Sequence, residues 1–130
     1  MTGRPRVLVA DDHQIMLDTL VRFLSHDFDV VGAVSDGWSV VAEAAKLTPD
    51  LLVLDIAMPG LNGIAAASLL KEGGSTAKVV FVTNLRDDEF VQKSMALGDV
   101  GFVVKDRLVA DLLPAIRRVL GGEPFVSPSR

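Results

Sequence analysis

Five short apolar runs rich in β-branched residues, each followed by a longer stretch of helical period, constrain this chain more than any other feature. The runs are residues 7–10, 30–34, 51–54, 79–82 and 101–104. Most are apolar throughout, as strands covered on both faces must be, and their alternation with helices is the signature of βαβ units around a parallel sheet. In the first helical stretch Leu17, Leu20, Val21 and Leu24 recur at i, i+3, i+4 and i+7, and Leu112, Leu113, Ile116, Val119 and Leu120 do much the same in the last. Asp36 before Gly37, and Asp87 followed by Asp88 and Glu89, place carboxylates at the starts of the second and fourth helices, where free amides and the helix dipole favour them. Gly98, Gly121 and Gly122 mark helix ends. Pro114 falls inside the last helical stretch; proline is tolerated only in a first turn, so that helix is predicted to start late, near Ala110 or Asp111, or to kink.

The whole is the size of one ordinary domain: 130 residues, 49% hydrophobic and 23% charged, a balance that sets it apart from disordered chains. Residues 1–122 are predicted to form the domain, and 123–130, with Pro124 and Pro128, the start of a linker or a loose tail. The absence of cysteine excludes disulfides and thiolate metal sites. No apolar run approaches the roughly 20 residues that cross a bilayer, and residues 1–6 have no signal-peptide character, so a cytoplasmic protein without membrane attachment is expected. A net charge of -4 argues against nucleic-acid binding by this segment itself, since such binding neutralises phosphates with clustered Lys and Arg.

In an open parallel sheet, ligands sit beyond the carboxyl ends of the strands. The polar residues at those ends are Asp11 and Asp12 after the first strand, Asp55 after the third, Thr83 after the fourth and Lys105 after the fifth. Three carboxylates at one sheet edge repel one another unless a cation sits among them. Oxygen ligands, without Cys or paired His, point to Mg²⁺, with Mn²⁺ as a substitute. A hydroxyl and an ammonium opposite would suit a tetrahedral oxyanion, which describes phosphoryl transfer to a carboxylate. Singly, each has a plainer reading: Asp11 or Asp12 as a helix N-cap, Asp55 as a strand end, Thr83 as a β-branched strand residue, Lys105 as a surface charge. Their shared position at the sheet edge favours the site.

The segments Val7-Leu8-Val9-Ala10-Asp11-Asp12-His13, Leu54-Asp55-Ile56-Ala57-Met58-Pro59-Gly60-Leu61-Asn62-Gly63, Phe81-Val82-Thr83 and Gly101-Phe102-Val103-Val104-Lys105-Asp106 resemble the response-regulator receiver domain of bacterial two-component systems. The resemblance runs from about Pro5 to Gly122, and it is nearest to the NarL/FixJ (LuxR-type) subfamily. It implies a doubly wound, five-stranded parallel α/β sheet of flavodoxin-like (βα)5 type, with strand order 2-1-3-4-5. It also implies that Asp55 is the phosphoacceptor, that Asp12, Asp55 and the Ala57 carbonyl ligate Mg²⁺, and that Asp11 acts largely through metal-bound water. Lys105 would pair with a phosphoryl oxygen, Thr83 would turn its hydroxyl to the phosphate, and Phe102 would be the aromatic switch residue, rotating inward on phosphorylation. The implied donor is a phosphohistidine on a sensor histidine kinase, with small acyl phosphates also serving. The readout face is the fourth helix, fifth strand and fifth helix, the output is transcription, and a homodimer on phosphorylation is a further expectation. In that subfamily a helix-turn-helix DNA-binding domain follows.

Some residues depart from the family pattern or tune it. Asn84 stands where a small residue is usual, and Leu108 where a capping Ser or Thr is common. Ala57 and Leu85, at the two positions flanking the phosphoryl group, are apolar and are expected to slow hydrolysis. Trp38 is expected at the start of the second helix, away from the pocket. Rival readings are weaker. A haloacid-dehalogenase-type phosphatase carries a second Asp two residues after its nucleophile, where this chain has Ala57. A flavodoxin-like carrier needs a Ser/Thr/Gly-rich loop where Asp11-Asp12-His13 stands. An unphosphorylated interaction module usually lacks an acid or the lysine, and all are present here. The domain is thus expected to be a regulatory phosphoacceptor that assists only its own phosphorylation and dephosphorylation.

Overall fold

The computed structural model describes residues 3–84 and 87–128. The chain runs β1 (Arg6–Ala10), α1 (Gln14–Leu24), β2 (Asp29–Val34), α2 (Gly37–Leu47), β3 (Leu51–Leu54), α3 (Gly63–Glu72), β4 (Lys78–Thr83), α4 (Asp88–Met95), β5 (Gly101–Val104), a 3-10 turn (Lys105–Arg107), α5 (Leu108–Leu120) and β6 (Phe125–Val126). The strands form one sheet in the order β2-β1-β3-β4-β5-β6, every pair parallel.

Strand alternation divides the interior into two layers. Val7 and Val9 of β1, Val53 of β3, Val80 and Val82 of β4 and Val103 of β5 face α1 and α5, where Leu17, Leu20, Leu24, Leu112 and Ile116 close over them. Leu8 and Ala10, Leu52 and Leu54, Phe81 and Phe102 face the other way, onto Val40 and Ala44 of α2 and Ala66, Ala67 and Leu70 of α3. Since both faces are covered, the strands carry no polar side, which is why they read as continuous apolar runs.

Two expectations are corrected. The sheet has six strands rather than five, because residues 125–126 add to the outer edge of β5, pairing Gly101 with Phe125 and Phe102 with Val126. The Phe125 amide donates to the Val100 carbonyl at 3.2 Å and the Ser127 amide to the Phe102 carbonyl at 2.8 Å, while the Phe125 ring packs on the α1/α5 layer. Helix α5 does not start late. It begins at Leu108, straight after the 3-10 turn, and carries Pro114 as its seventh residue. The carbonyl that Pro114 leaves without its amide partner belongs to Ala110, which is exposed and so within reach of water. Leu108, buried in the α1/α5 layer, anchors a first turn that has no side-chain cap. Among the anticipated caps, the Asp36 carboxylate accepts from the Ser39 amide, and this holds its pKa below the ordinary value; Asp87 makes no side-chain cap bond.

Candidate functional site

The reversal of strand order between β1 and β3 opens a crevice at their carboxyl ends, and register decides what lies in it. Ala10 pairs with Leu54, and the Asp55 amide donates to the Ala10 carbonyl at 2.9 Å, so Asp11 and Asp55 emerge side by side. Thr83 pairs with Val104, so Lys105 follows directly from the end of the β4/β5 ladder.

Asp11 is completely buried, Asp55 and Thr83 nearly so, and the Lys105 side chain is only 8% exposed. The Lys105 Nζ lies 2.8 Å from Asp11 Oδ2 and 3.1 Å from Asp55 Oδ2, bridging the two acids. Burial works against the ammonium's charge, but the close contact with Asp11 and the charge of Asp55 outweigh it, and its pKa lies above the ordinary value. The other oxygens are oriented by backbone: the Ile56 amide donates to Asp55 Oδ1 at 2.7 Å and the His13 amide to Asp11 Oδ1 at 2.9 Å. Neither Asp11 nor Asp12 caps α1. The N-cap is His13, whose side chain makes no cap bond, so both carboxylates remain on the crevice.

Asp11, Asp12, His13 and Asp55 present donor atoms that all lie within 4.8 Å of one another, a cluster able to hold a metal ion. One oxygen in it supports that fit. Asp11 Oδ2 is buried and, although the ammonium is near, accepts no hydrogen bond of good direction. A buried carboxylate oxygen favours a cation, a place the Lys105 ammonium holds at 2.8 Å here. The donors are hard oxygens apart from one imidazole, and they suit a divalent cation.

The loop after Asp55 is shaped by two glycines. A Cβ on Gly63 would lie 2.1 Å from the Asp55 carbonyl oxygen, and one on Gly37 would lie 1.8 Å from that of Leu61. Only glycine lets the starts of α2 and α3 come this close, and the close approach fixes the backbone of the acid. The Gly63 amide donates to the Ile56 carbonyl at 2.8 Å, and the Asn62 side chain caps α3 through the Ala65 amide. Trp38 begins α2 as its second residue, and its indole lies against Gly60 of this loop.

Of the other anticipated residues, Ala57 is exposed at the loop and Asn84 exposed just beyond β4. Phe102, 1% exposed, is already inward in the α2/α3 layer. Leu85 lies outside the described residues. The fold also assembles residues that sequence reasoning missed. The Ser127 hydroxyl donates to Asp111 Oδ2 at 2.7 Å and accepts from the Val104 amide at 3.2 Å, while Arg107 holds Asp111 through two hydrogen bonds of 2.7 and 3.1 Å. The guanidinium and the hydroxyl outweigh burial and keep the Asp111 carboxyl below its ordinary pKa. The spacing of Arg107 and Asp111, i and i+4 at a helix start, was a usable signal; Ser127 in a proline-bearing tail gave none.

A model of the response regulator receiver domain matches residues 7–117. The chain is similar to the response regulator GacA of Pseudomonas viridiflava, 35% identical over 126 residues, or 95% of this chain and 58% of that protein. It is similar to the transcriptional regulatory protein LiaR of Bacillus subtilis (strain 168), 34% identical over 121 residues, or 92% of this chain and 57% of that protein. Among solved structures it is similar to the isolated REC domain of RcsB from Salmonella enterica serovar Typhimurium in the presence of phosphomimetic BeF3-. The TM-score is 0.86 at 26% identity, covering 98% of this chain and 95% of that one. The chain spans less than two thirds of the length of these curated relatives.

Proposed function

The chain belongs to the response regulator receiver domain family, and from that premise we propose that it is a phosphorylation-dependent signalling switch whose phosphoacceptor is Asp55. The observation that carries this reading is the largely buried Lys105 ammonium bridging the buried Asp11 and Asp55. A carboxylate held by the Ile56 amide on one oxygen and by Lys105 on the other is oriented as a nucleophile. In the transfer, an Asp55 oxygen forms a bond to phosphorus as the phosphorus–nitrogen bond of a phosphohistidine breaks, and the imidazole of the kinase leaves. Lys105 and the hydroxyl of Thr83, at the end of β4, then accompany the phosphoryl oxygens. Mg²⁺, or Mn²⁺ in its place, would be held by Asp12, Asp55 and the Ala57 carbonyl, with Asp11 acting through water, and would supply charge neutralisation for the transferring group. The chain's part is regulatory: it assists its own phosphorylation and dephosphorylation and turns over no other substrate.

The consequence would be read on the face of α4, β5 and α5, where Phe102 of β5 pairs with Phe81 of β4 and Val126 of β6. The partner is a sensor histidine kinase, with a homodimer forming on phosphorylation. The relationship to LiaR, a transcriptional regulatory protein, supports a transcriptional output through a DNA-binding domain joined by a linker; the receiver unit of residues 1–122 is extended by β6 and the buried Ser127, so the linker would start past them rather than at residue 123. A cytoplasmic location is proposed from the family; no described helix is long and apolar enough to cross a membrane. The test is mass spectrometry after incubation with acetyl phosphate and Mg²⁺. One added phosphate, absent in Asp55→Asn, supports the reading; no adduct on wild type, or an unchanged adduct in the variant, overturns it.

A further inference from the structure

The ammonium of Lys105 is carried by a chain that changes direction directly beneath it. Val104 is still extended, with φ -85° and ψ 137°, whereas Lys105 already opens the 3-10 turn and its carbonyl accepts the Leu108 amide. This bend sets where a long side chain starts, and so whether its end reaches both acids. Toward β4 the bend is held by the ladder that pairs Thr83 with Val104. Toward β6 the ladder stops at Val126, and Pro128 has no amide with which to carry it further. The Ser127 hydroxyl stands there in place of a backbone carbonyl, accepting from the Val104 amide at 3.2 Å and donating to Asp111 Oδ2 at 2.7 Å. Arg107, at the far end of the turn, grips the same carboxylate with two bonds. Val104 and Arg107, on either side of Lys105, are thus tied to each other through Ser127 and Asp111. Both of those groups are buried, where a hydrogen bond is held more firmly than in water.

We infer that Ser127 is a positioning residue for phosphoryl transfer: through the Val104 amide and the Asp111 carboxylate it fixes the bend from which Lys105 reaches the phosphoryl oxygens. The inference rests on the reading of Asp55 as phosphoacceptor and of Lys105 as the cation beside it. Ser127 acts only through its two partners, so its loss leaves the acids in place and loosens the lysine. A reacting group misplaced by about 1 Å can cost about 100-fold in rate, so even a small relaxation of the bend is readable in the transfer. The tail and the site are coupled by the same ring of bonds: whatever draws β6 away from β5 also slackens Lys105.

The test is the rate at which the intact chain takes phosphate from acetyl phosphate in Mg²⁺, an Asp55 oxygen bonding to phosphorus as acetate leaves. No kinase is present, so docking plays no part. Ser127→Ala is expected to be slowed about tenfold, and Ser127→Thr, which keeps the hydroxyl, to recover most of the rate. Ile116→Val, which trims the buried face of α5 and leaves the ring of polar atoms alone, is expected to match wild type. A wild-type rate in Ser127→Ala, equal slowing in the Ala and Thr variants, or equal slowing in Ile116→Val overturns the inference. If Ser127→Ala does not fold, Arg107→Leu opens the ring at its more exposed link and should be slowed as well; a wild-type rate there is the overturning result. Crystal structures of wild type and variant separate the two readings. A wild type that takes no phosphate sinks the phosphoacceptor reading, while a Lys105 Nζ that keeps its 2.8 and 3.1 Å contacts with Asp11 and Asp55 in the variant sinks the role of Ser127.

Discussion

The Ser127 hydroxyl and the Asp111 carboxylate meet at 2.7 Å, joining the chain beyond α5 to the first turn of α5 itself. Both groups are buried, and Ser127 also accepts the Val104 amide, the last of β5 before Lys105. Removing the hydroxyl takes away the Val104 amide's acceptor and leaves the Asp111 carboxylate to Arg107 alone. Ser127→Ala is therefore expected to lower stability by about 1–3 kcal/mol, and to speed hydrogen exchange at Val104 and Ser127 more than elsewhere in the sheet. Urea denaturation and exchange monitored by NMR measure the two effects, and unchanged exchange at both amides would show that the pair does not hold β6 in place.

The same pair sets a pH dependence. Asp111 has its pKa depressed, first by Arg107 and then by Ser127 against the cost of burial. A carboxyl of this kind adds stability that is present above its unfolded value of about 3.9 and is lost as pH falls through the lower, folded value. Asp111→Asn should therefore be less stable than wild type at neutral pH, and the gap should narrow below about pH 4. Urea midpoints for both proteins across that range test it; a gap that stays constant with pH would assign the loss to packing rather than to charge.

Lys105 neutralises two buried acids at once. In Lys105→Met those carboxylates repel each other, so the metal-free protein should lose about 1–3 kcal/mol. Because the ammonium and a cation compete for the same oxygens, millimolar Mg²⁺ should raise the melting temperature of the variant more than that of wild type. Thermal melts with and without Mg²⁺ make the comparison, and an equal or smaller rise in the variant would mean that lysine and metal do not share the acids.

The lifetime of the phosphorylated state should depend on positions 57 and 85. Ala57 is exposed beside the acceptor loop and offers no side-chain hydrogen bond to a hydrolytic water; Leu85 is likewise apolar. Supplying an orienting polar group is worth about 1–2 kcal/mol of barrier, where each 1.36 is tenfold in rate. Ala57→Asn and Leu85→Glu should each release phosphate faster, by about tenfold. Should both match wild type in a phosphate-release time course, water positioning there does not set the lifetime, and Asn84 becomes the residue to vary.

Strands covered on both faces left runs without polar interruption, and the half-exposed edge strand β2 is apolar from Val30 to Val34 as well, so each of the first five was placed to within one residue at either end. The acids and the lysine were legible for a related reason: they follow strand ends directly, and parallel register carries those ends to one edge. β6 was not legible, since two residues have no period and their pairing depends on where α5 delivers the chain. Proline in α5 misled because its cost depends on whether the abandoned carbonyl is buried, and the exposure of Ala110 is a property of the fold. The Ser127–Asp111 contact spans 16 residues and exists only once β6 has docked.

A sheet that ended at β5 would present a row of unpaired amides and carbonyls along its outer side, a template on which a strand of another molecule could grow. Two residues of β6 occupy that row, and the prolines at 124 and 128 stand on either side of the short ladder. Proline has no amide to offer, so a stranger approaching this flank finds too little backbone in register to extend a ribbon. At the opposite flank β2 pairs with β1 through an irregular register between Val7 and Leu8, which bends the ladder there. The chain thus blunts both sides of its sheet by local means, and the tail that ties down β5 is also a guard against aggregation.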